Sequence, residues 1–228
     1  MFSVIFEVQP RPGQRDAYLD QASALWPELK AIDGFIDNIR YRSLQRDGWI
    51  LSLSDWRDEK ALVRWRTAER HHVVQSLGRA EILADYHLRV GPVVQDTRVP
   101  EGQTLADQRL DETQVGEATY ITLIDAVRPA QWAQTDNPAD CSQYLGLDAW
   151  ATGLVDWDVF DAVHKPGDLI LMLTWRDRAS AEQYESSSAL PDGARLRHVR
   201  IVRDYGMFDR REAPQFYPPV PVPAGHRP

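Results

Sequence analysis

Trp56-Arg57-Asp58 and Trp175-Arg176-Asp177 are the same three residues met twice, 119 positions apart, and that spacing organises the rest of the chain. Outward from them at the same offset, Gly48 meets Gly167, Asp37 meets Asp156 and Gly34 meets Gly153. Ile5/Ile124, Val8/Val127, Pro10/Pro129, Ser23/Ser142, Leu77/Leu196, Ile82/Ile201 and the pair Asp85-Tyr86/Asp204-Tyr205 also coincide. That makes 14 identities over positions 2–90, where ordinary composition gives roughly five. So long a period is not a solenoid, and the 228-residue chain reads as a duplicated domain. Its expected parts are a domain at 1–94, a polar linker at 95–117, a second, diverged domain at 118–210, and a tail at 211–228. Past Ala213 that tail holds six of the fifteen prolines, which predicts polyproline-like extension without packing.

Each copy shows the same order of elements. Phe2, Val4, Phe6 and Val8 alternate with other residues as one face of a strand. From Arg15 to Ile32 the apolar positions step by three and four, as in a helix that Pro27 should kink. Phe35–Ser43 and Trp49–Leu53 are β-rich and meet through Asp47-Gly48, a hairpin signal. Asp58 can cap a second helix whose inner side is Ala61, Leu62 and Trp65, with His72 seven residues further on. Ile82 to Val90 alternates as a fourth strand. The order is βαββαβ, the ferredoxin-like split unit, and the fold class is α+β. The second copy runs through Tyr120–Val127, Val155–Val163, Asp168–Trp175 and Leu196–Phe208, with Asp136-Asn137-Pro138 interrupting its first helical region.

Composition excludes several functions. The 43% hydrophobic and 26% charged residues suit a packed core, and 26 basic against 34 acidic residues give a net charge of −8, the wrong sign for tracking phosphate backbones. No nucleic acid is expected as partner. One cysteine, Cys141, allows no intrachain disulfide and no Cys-based metal site, which fits a reducing cytoplasm. Neither an export signal nor a long apolar segment is visible, so no membrane partner is expected and the localisation reads as cytoplasmic. There is no Gly-rich phosphate loop, Gly-x-Ser-x-Gly or His-Glu-x-x-His.

Ile32-Asp33-Gly34-Phe35-Ile36, then Leu51 to Glu59 (LSLSDWRDE), then His71-His72-Val73-Val74-Gln75 and Asp85-Tyr86 resemble the antibiotic biosynthesis monooxygenase domain of the dimeric α+β barrel superfamily. The resemblance covers residues 2–94, and residues 119–210 chiefly through their similarity to them. It implies an oxygenase, and an architecture in which two tandem ferredoxin-like sheets pair face to face as a barrel. In most members two chains do this. Here one chain carries both halves and can close the barrel alone, the alternative being a homo-dimer in which each half pairs with another chain.

Within that frame His71 and His72 are the sharpest candidates, because their partners at the 119 offset, Leu190 and Pro191, can neither titrate nor ligate. Their functional reading is an imidazole that accepts a proton or ligates a metal or haem iron. Their structural reading has His72 completing the helix's inner face and His71 solvated beside it. Trp65 is on the helix that the resemblance implies lines the family's pocket, and an ordinary core tryptophan is the reading favoured for it, since large aromatics dominate cores. Asn38, Tyr41 and Arg79 are the further candidates for substrate contact. The family's haem-degrading branch implies a first-strand asparagine and a histidine about three turns after the tryptophan. This chain departs from both, with Ser3, Ile5 and Glu7 on that strand and histidines six and seven residues after Trp65.

The leading expectation is therefore an oxygenase needing no cofactor, with an apolar barrel pocket, a small aromatic or polyketide-like substrate, molecular oxygen and a histidine base. Its alternatives are a haem b protein with His71 or His72 as axial ligand, and a non-catalytic small-molecule binding barrel.

Overall fold

The computed structural model describes residues 1–105, 109, 111–132 and 136–223; His226 and the last prolyl residue lie outside them. The first half runs β1 (Phe2–Pro10), α1 (Arg15–Ala24), α2 (Trp26–Ala31), β2 (Phe35–Ser43), β3 (Ile50–Trp56), α3 (Glu59–Arg66), α4 (Glu69–Leu77), a π-helical turn (Gly78–Ile82) and β4 (Leu83–Asp96). The second runs β5 (Tyr120–Val127), α5 (Pro138–Tyr144), β6 (Leu154–Ala162), β7 (Asp168–Trp175), α6 (Arg178–Ser187), β8 (Arg195–Arg200) and β9 (Arg203–Gly206). Asn137 caps α5 and Pro138 opens it, so the Asp-Asn-Pro run starts a helix where the sequence suggested an interruption.

All strands pair antiparallel, in the order β1-β3-β2-β6-β7-β5-β8-β4, and β4 pairs back to β1. Eight strands thus close a barrel within one chain, with β9 added alongside β4. Each half keeps the order expected of a split βαβ sheet. The two seams between halves are Tyr41–Ser43 against Phe160–Ala162, and Val93–Asp96 against Arg197–Val199.

Period-two alternation sends each strand's residues to opposite faces. Inward, Ile5, Tyr41, Leu51, Leu53 and Val93 meet Ile121, Leu123, Phe160, Ile170, Met172 and Val199. Outward, Phe2, Val4 and Trp56 lie under Leu25, Leu29, Leu62 and Trp65 of the first half's helices. Leu169, Leu171, Leu173 and Trp175 lie likewise under Cys141, Leu145, Ala181 and Tyr184. The interior also buries charge. Glu7 is held by both Arg89 and Arg46, and Arg46 reaches Asp158 at 2.7 Å. Asp55 accepts from Ser3 Oγ at 2.5 Å and from Arg197 at 2.8 Å. The barrel is a filled core.

The Trp-Arg-Asp run proves to be three local devices in succession. Trp56 and Trp175 are fully buried. The N–H of Arg57 donates to Gly34 O at 2.8 Å, and that of Arg176 to Gly153 O at 2.9 Å. Asp58 and Asp177 cap α3 and α6. Gly34 has φ +90°, and a Cβ there would stand 2.7 Å from Ala61 Cβ, so the strand can leave the helix layer only through glycine.

The offset of 119 is not one register, however. It holds from Gly34 to Asp58, including the bulges at Phe35/Asp37 and Leu154/Asp156. In the first strand the offset is 118, because Phe2 faces Trp56 while Tyr120 faces Trp175; Ile5 therefore points into the barrel and Ile124 out of it. The second half has no counterpart of α4 and the π-turn, so Pro92 and Arg200 are the equivalent partners of Phe2 and Tyr120. The recurrence of Asp85-Tyr86 at 204–205 is a coincidence of spelling, with Tyr86 on β4 and Tyr205 on the added β9 beside it.

The tail is also packed. Residues 211–223 form no regular element, yet Arg79 Nη2 donates to Pro218 O at 3.4 Å, Arg210 Nη2 donates to Gln215 O at 2.7 Å, and Val220 joins the apolar layer over Val8 and Ile82. These contacts are long-range, which composition alone cannot register.

Replacing Glu7 by Ala leaves Arg89 a buried cation without its carboxylate, and should lower stability by about 3–5 kcal/mol. The expected readout is a lower urea midpoint at unchanged slope, largely recovered in Glu7→Met/Arg89→Met.

Candidate functional site

A cavity of about 230 Å³ lies between the outer face of the first half's sheet and helices α1–α4. It is on the helix side of the sheet, outside the barrel that was expected to hold it. Val4 and Phe6 of β1, Asn38 and Arg40 of β2, Ser52 and Ser54 of β3, and Tyr86, Leu88 and Val90 of β4 form its floor. Leu25, Leu29, Leu62, Trp65, His71 and Val74 form its roof. Arg79 of the π-turn, Arg203 and Tyr205 of β9, and Arg210, Gln215 and Tyr217 of the C-terminal segment also line it.

The two histidines separate. His71 lines the cavity, its ring stacked on Trp65 at 4.2 Å between centroids and 15° between planes, with Nδ1 2.9 Å from Trp65 O. A carbonyl oxygen only accepts, so Nδ1 carries the proton and Nε2 keeps the lone pair. Burial pushes its pKa down to about 4, so the neutral ring persists through the physiological range. His72 is exposed on the far side of α4, its ring 6.0 Å from that of Tyr217. The heptad from Trp65 to His72 fails because the helix breaks at Thr67 and Ala68. Thr67 Oγ1 bonds back to Val63 O at 2.9 Å, and Ala68 is extended, which resets the phase of α4.

Trp65 is 9% exposed and serves both readings, packing with Leu62 and Phe2 while lining the cavity. Asn38 Nδ2 donates to Ser52 Oγ at 3.2 Å, and its buried Oδ1 has no hydrogen-bond partner among the described residues. Tyr41 does not reach the cavity. Three positions beyond Asn38 on a strand of period two, it points into the barrel, where burial pushes its pKa up. Arg79 is buried at the cavity and donates from Nη1 to Tyr86 Oη at 3.0 Å. Arg210 Nη1 donates to the same oxygen. Tyr86 and Arg210 were not among the expected contacts. Their signal was a tyrosine repeated by chance and an arginine assigned to a domain end.

The second half fills the equivalent space. Asn38, Ser52 and Ser54 correspond to Trp157, Leu171 and Leu173, and the ring of Tyr184 leans on Trp175 at 5.1 Å. It has no counterpart of His71, since α6 ends at Ser187 and the chain enters β8 at Arg195.

Among the described residues no three His, Cys, Asp or Glu side chains are grouped to hold a metal ion, and no helix is long and apolar enough to cross a membrane. His71 Nε2 is the one imidazole nitrogen that the described lining offers to a haem iron.

The family model described as antibiotic biosynthesis monooxygenase matches residues 1–76. Jasmonate monooxygenase ABM from Pyricularia oryzae is 48% identical over 226 residues, covering 96% of this chain and 100% of that protein. Among solved structures, a protein of Lactobacillus acidophilus NCFM is 9% identical and covers 89% of this chain and 94% of its own, at a TM-score of 0.38. PA3566 from Pseudomonas aeruginosa is 21% identical and covers 39% of this chain and 89% of its own, at a TM-score of 0.35.

A buried imidazole with a depressed pKa has a thermodynamic signature. Its contribution to stability is full above the unfolded value of about 6.5 and is lost as pH falls toward about 4. His71→Phe should flatten that limb of a stability-against-pH curve, and NMR titration of the ¹⁵N-labelled protein should find Nε2 unprotonated at pH 6.

Proposed function

The chain belongs to the antibiotic biosynthesis monooxygenase family and is a monooxygenase-type oxidoreductase, and from that premise we propose that it oxidises a small, mostly apolar molecule in the cavity under α1–α4, with His71 as proton acceptor. The observation that carries this reading is His71 itself, a neutral imidazole fixed by Trp65 with its Nε2 lone pair free of that bond. The relative named for jasmonate supports a substrate of that kind, a small carbocycle with a carbonyl beside its C–H bonds.

The chemistry asks three things of the protein. The floor and roof exclude water from the bound carbocycle, so a carbanion formed there is not quenched by bulk protons. Trp65 and Leu62 hold the ring in one orientation relative to His71. His71 Nε2 then takes the proton from an activated methylene. Burial makes the imidazole a reluctant base, and the charge it gains is compensated by the carbanion beside it. The carbanion supplies its electrons to molecular oxygen, giving a hydroperoxide that loses water and leaves a carbonyl. One oxygen atom stays in the product, the other leaves as water, and the methylene supplies all the electrons, so no cofactor takes part.

A second reading uses the same nitrogen. His71 Nε2 would hold the iron of a haem, which would supply the oxygen-activating chemistry, while the cavity's other groups would hold the macrocycle. Hemin titration separates the two, because a Soret band lost in His71→Phe belongs to the haem reading alone.

Incubating the purified chain with ¹⁸O₂ and either jasmonate or a phenolic panel should give one labelled oxygen per product. His71→Phe should lower kcat by about 10²- to 10⁴-fold. The neutral ring being the active form, the wild-type kcat/KM should hold down to about pH 5 and fall toward pH 4. Absence of oxygen uptake with every compound, or an unchanged rate in His71→Phe, would overturn the proposal.

A further inference from the structure

Among the described residues five arginines line the cavity: Arg40, Arg66, Arg79, Arg203 and Arg210. No ion pair joins any of them to a carboxylate among the described residues. The one carboxylate in the described lining, Glu59, is taken by Arg109 at 2.7 Å. The contrast with the barrel interior is sharp, since Arg89 and Arg197 there each meet a carboxylate. In a chain of net charge −8 the cavity is a concentrated positive site.

The cations are also aimed. Arg79 Nη1 and Arg210 Nη1 converge on one phenol oxygen, Tyr86 Oη. The Tyr217 ring lies 5.7 Å from the first guanidinium and 5.0 Å from the second. With both acceptor positions filled by guanidinium N–H groups, the Tyr86 hydroxyl can only donate. The Nε atoms of Arg40, Arg66 and Arg210 are buried without hydrogen-bond partners among the described residues. Two like charges meeting on one neutral oxygen, with unpaired donors around them, is an arrangement that an anion completes.

We propose that Arg79, Tyr86 and Arg210 form a clamp for the carboxylate of a small organic acid, and that this clamp makes the enzyme select the acid over its neutral derivatives. The proposal rests on the oxygenase reading of the cavity and adds the group by which its substrate is recognised. It also gives the second half a role in the first half's site. Arg203 and Tyr205 on β9, and Arg210 and Tyr217 beyond it, are delivered alongside β4 by the far end of the chain.

Isothermal titration of the full chain with jasmonate and with its primary amide, a neutral molecule of nearly the same shape, tests this. The acid should bind roughly ten- to a hundredfold tighter than the amide, as expected for hydrogen bonds to a charged group. That preference should fall to within about twofold in Arg210→Met and in Arg79→Met. Arg210 is on the C-terminal segment, so its variant reports even if Arg79→Met fails to fold, and thermal melting identifies such a failure. Equal affinity of the wild type for acid and amide, or a preference retained in Arg210→Met, overturns the clamp and leaves the cavity reading standing. Binding of neither compound overturns the clamp, and overturns the cavity reading too when no phenol of the panel supports oxygen uptake.

Discussion

Everything in this molecule follows from the face-to-face closure of two four-stranded sheets along the seams β2–β6 and β4–β8. An eight-stranded barrel has an interior just wide enough for its own side chains. Here those side chains are Ile5, Leu51, Leu53, Phe160 and Met172, with Glu7–Arg89 and Asp55–Arg197 buried among them. A small molecule has no room there. The cavity is on the other face of the sheet, where helices stand off from strands.

Which helices stand off is decided by a few residues. Asn38, Ser52 and Ser54 are small and polar on the first half's outer face, whereas Trp157, Leu171 and Leu173 fill the same positions in the second. Among the described residues α4 and the π-turn occur in the first half alone, and they bring His71 and Arg79 to the cavity. The second half fills the equivalent space and contributes instead from outside, through β9 and the C-terminal segment. One half houses the cavity, and the other completes its walls.

Local features were legible in the sequence, and those decided at long range were not. The strand alternation of Phe2 to Val8, the glycine at 34 and the cap at Asp58 act within a few residues, and they led to the right fold class. His71 and His72 could not be told apart, because the helix breaks at Thr67-Ala68 with neither proline nor glycine to announce it. Tyr41 was misplaced because which face of a strand meets the helices depends on the partner sheet. Ile5/Ile124 and Tyr86/Tyr205 match in sequence at one offset while the strand registers differ at both ends of the chain. The packing of the C-terminal segment rests on Arg79 and Arg210, and proline content alone gave no sign of it.

The most direct test of this account is a crystal structure of the chain with jasmonate bound. The ligand is predicted to lie between Trp65 and the outer face of β1–β4, clear of the barrel interior. Density inside the barrel, or over the outer face of β5–β8, would contradict it.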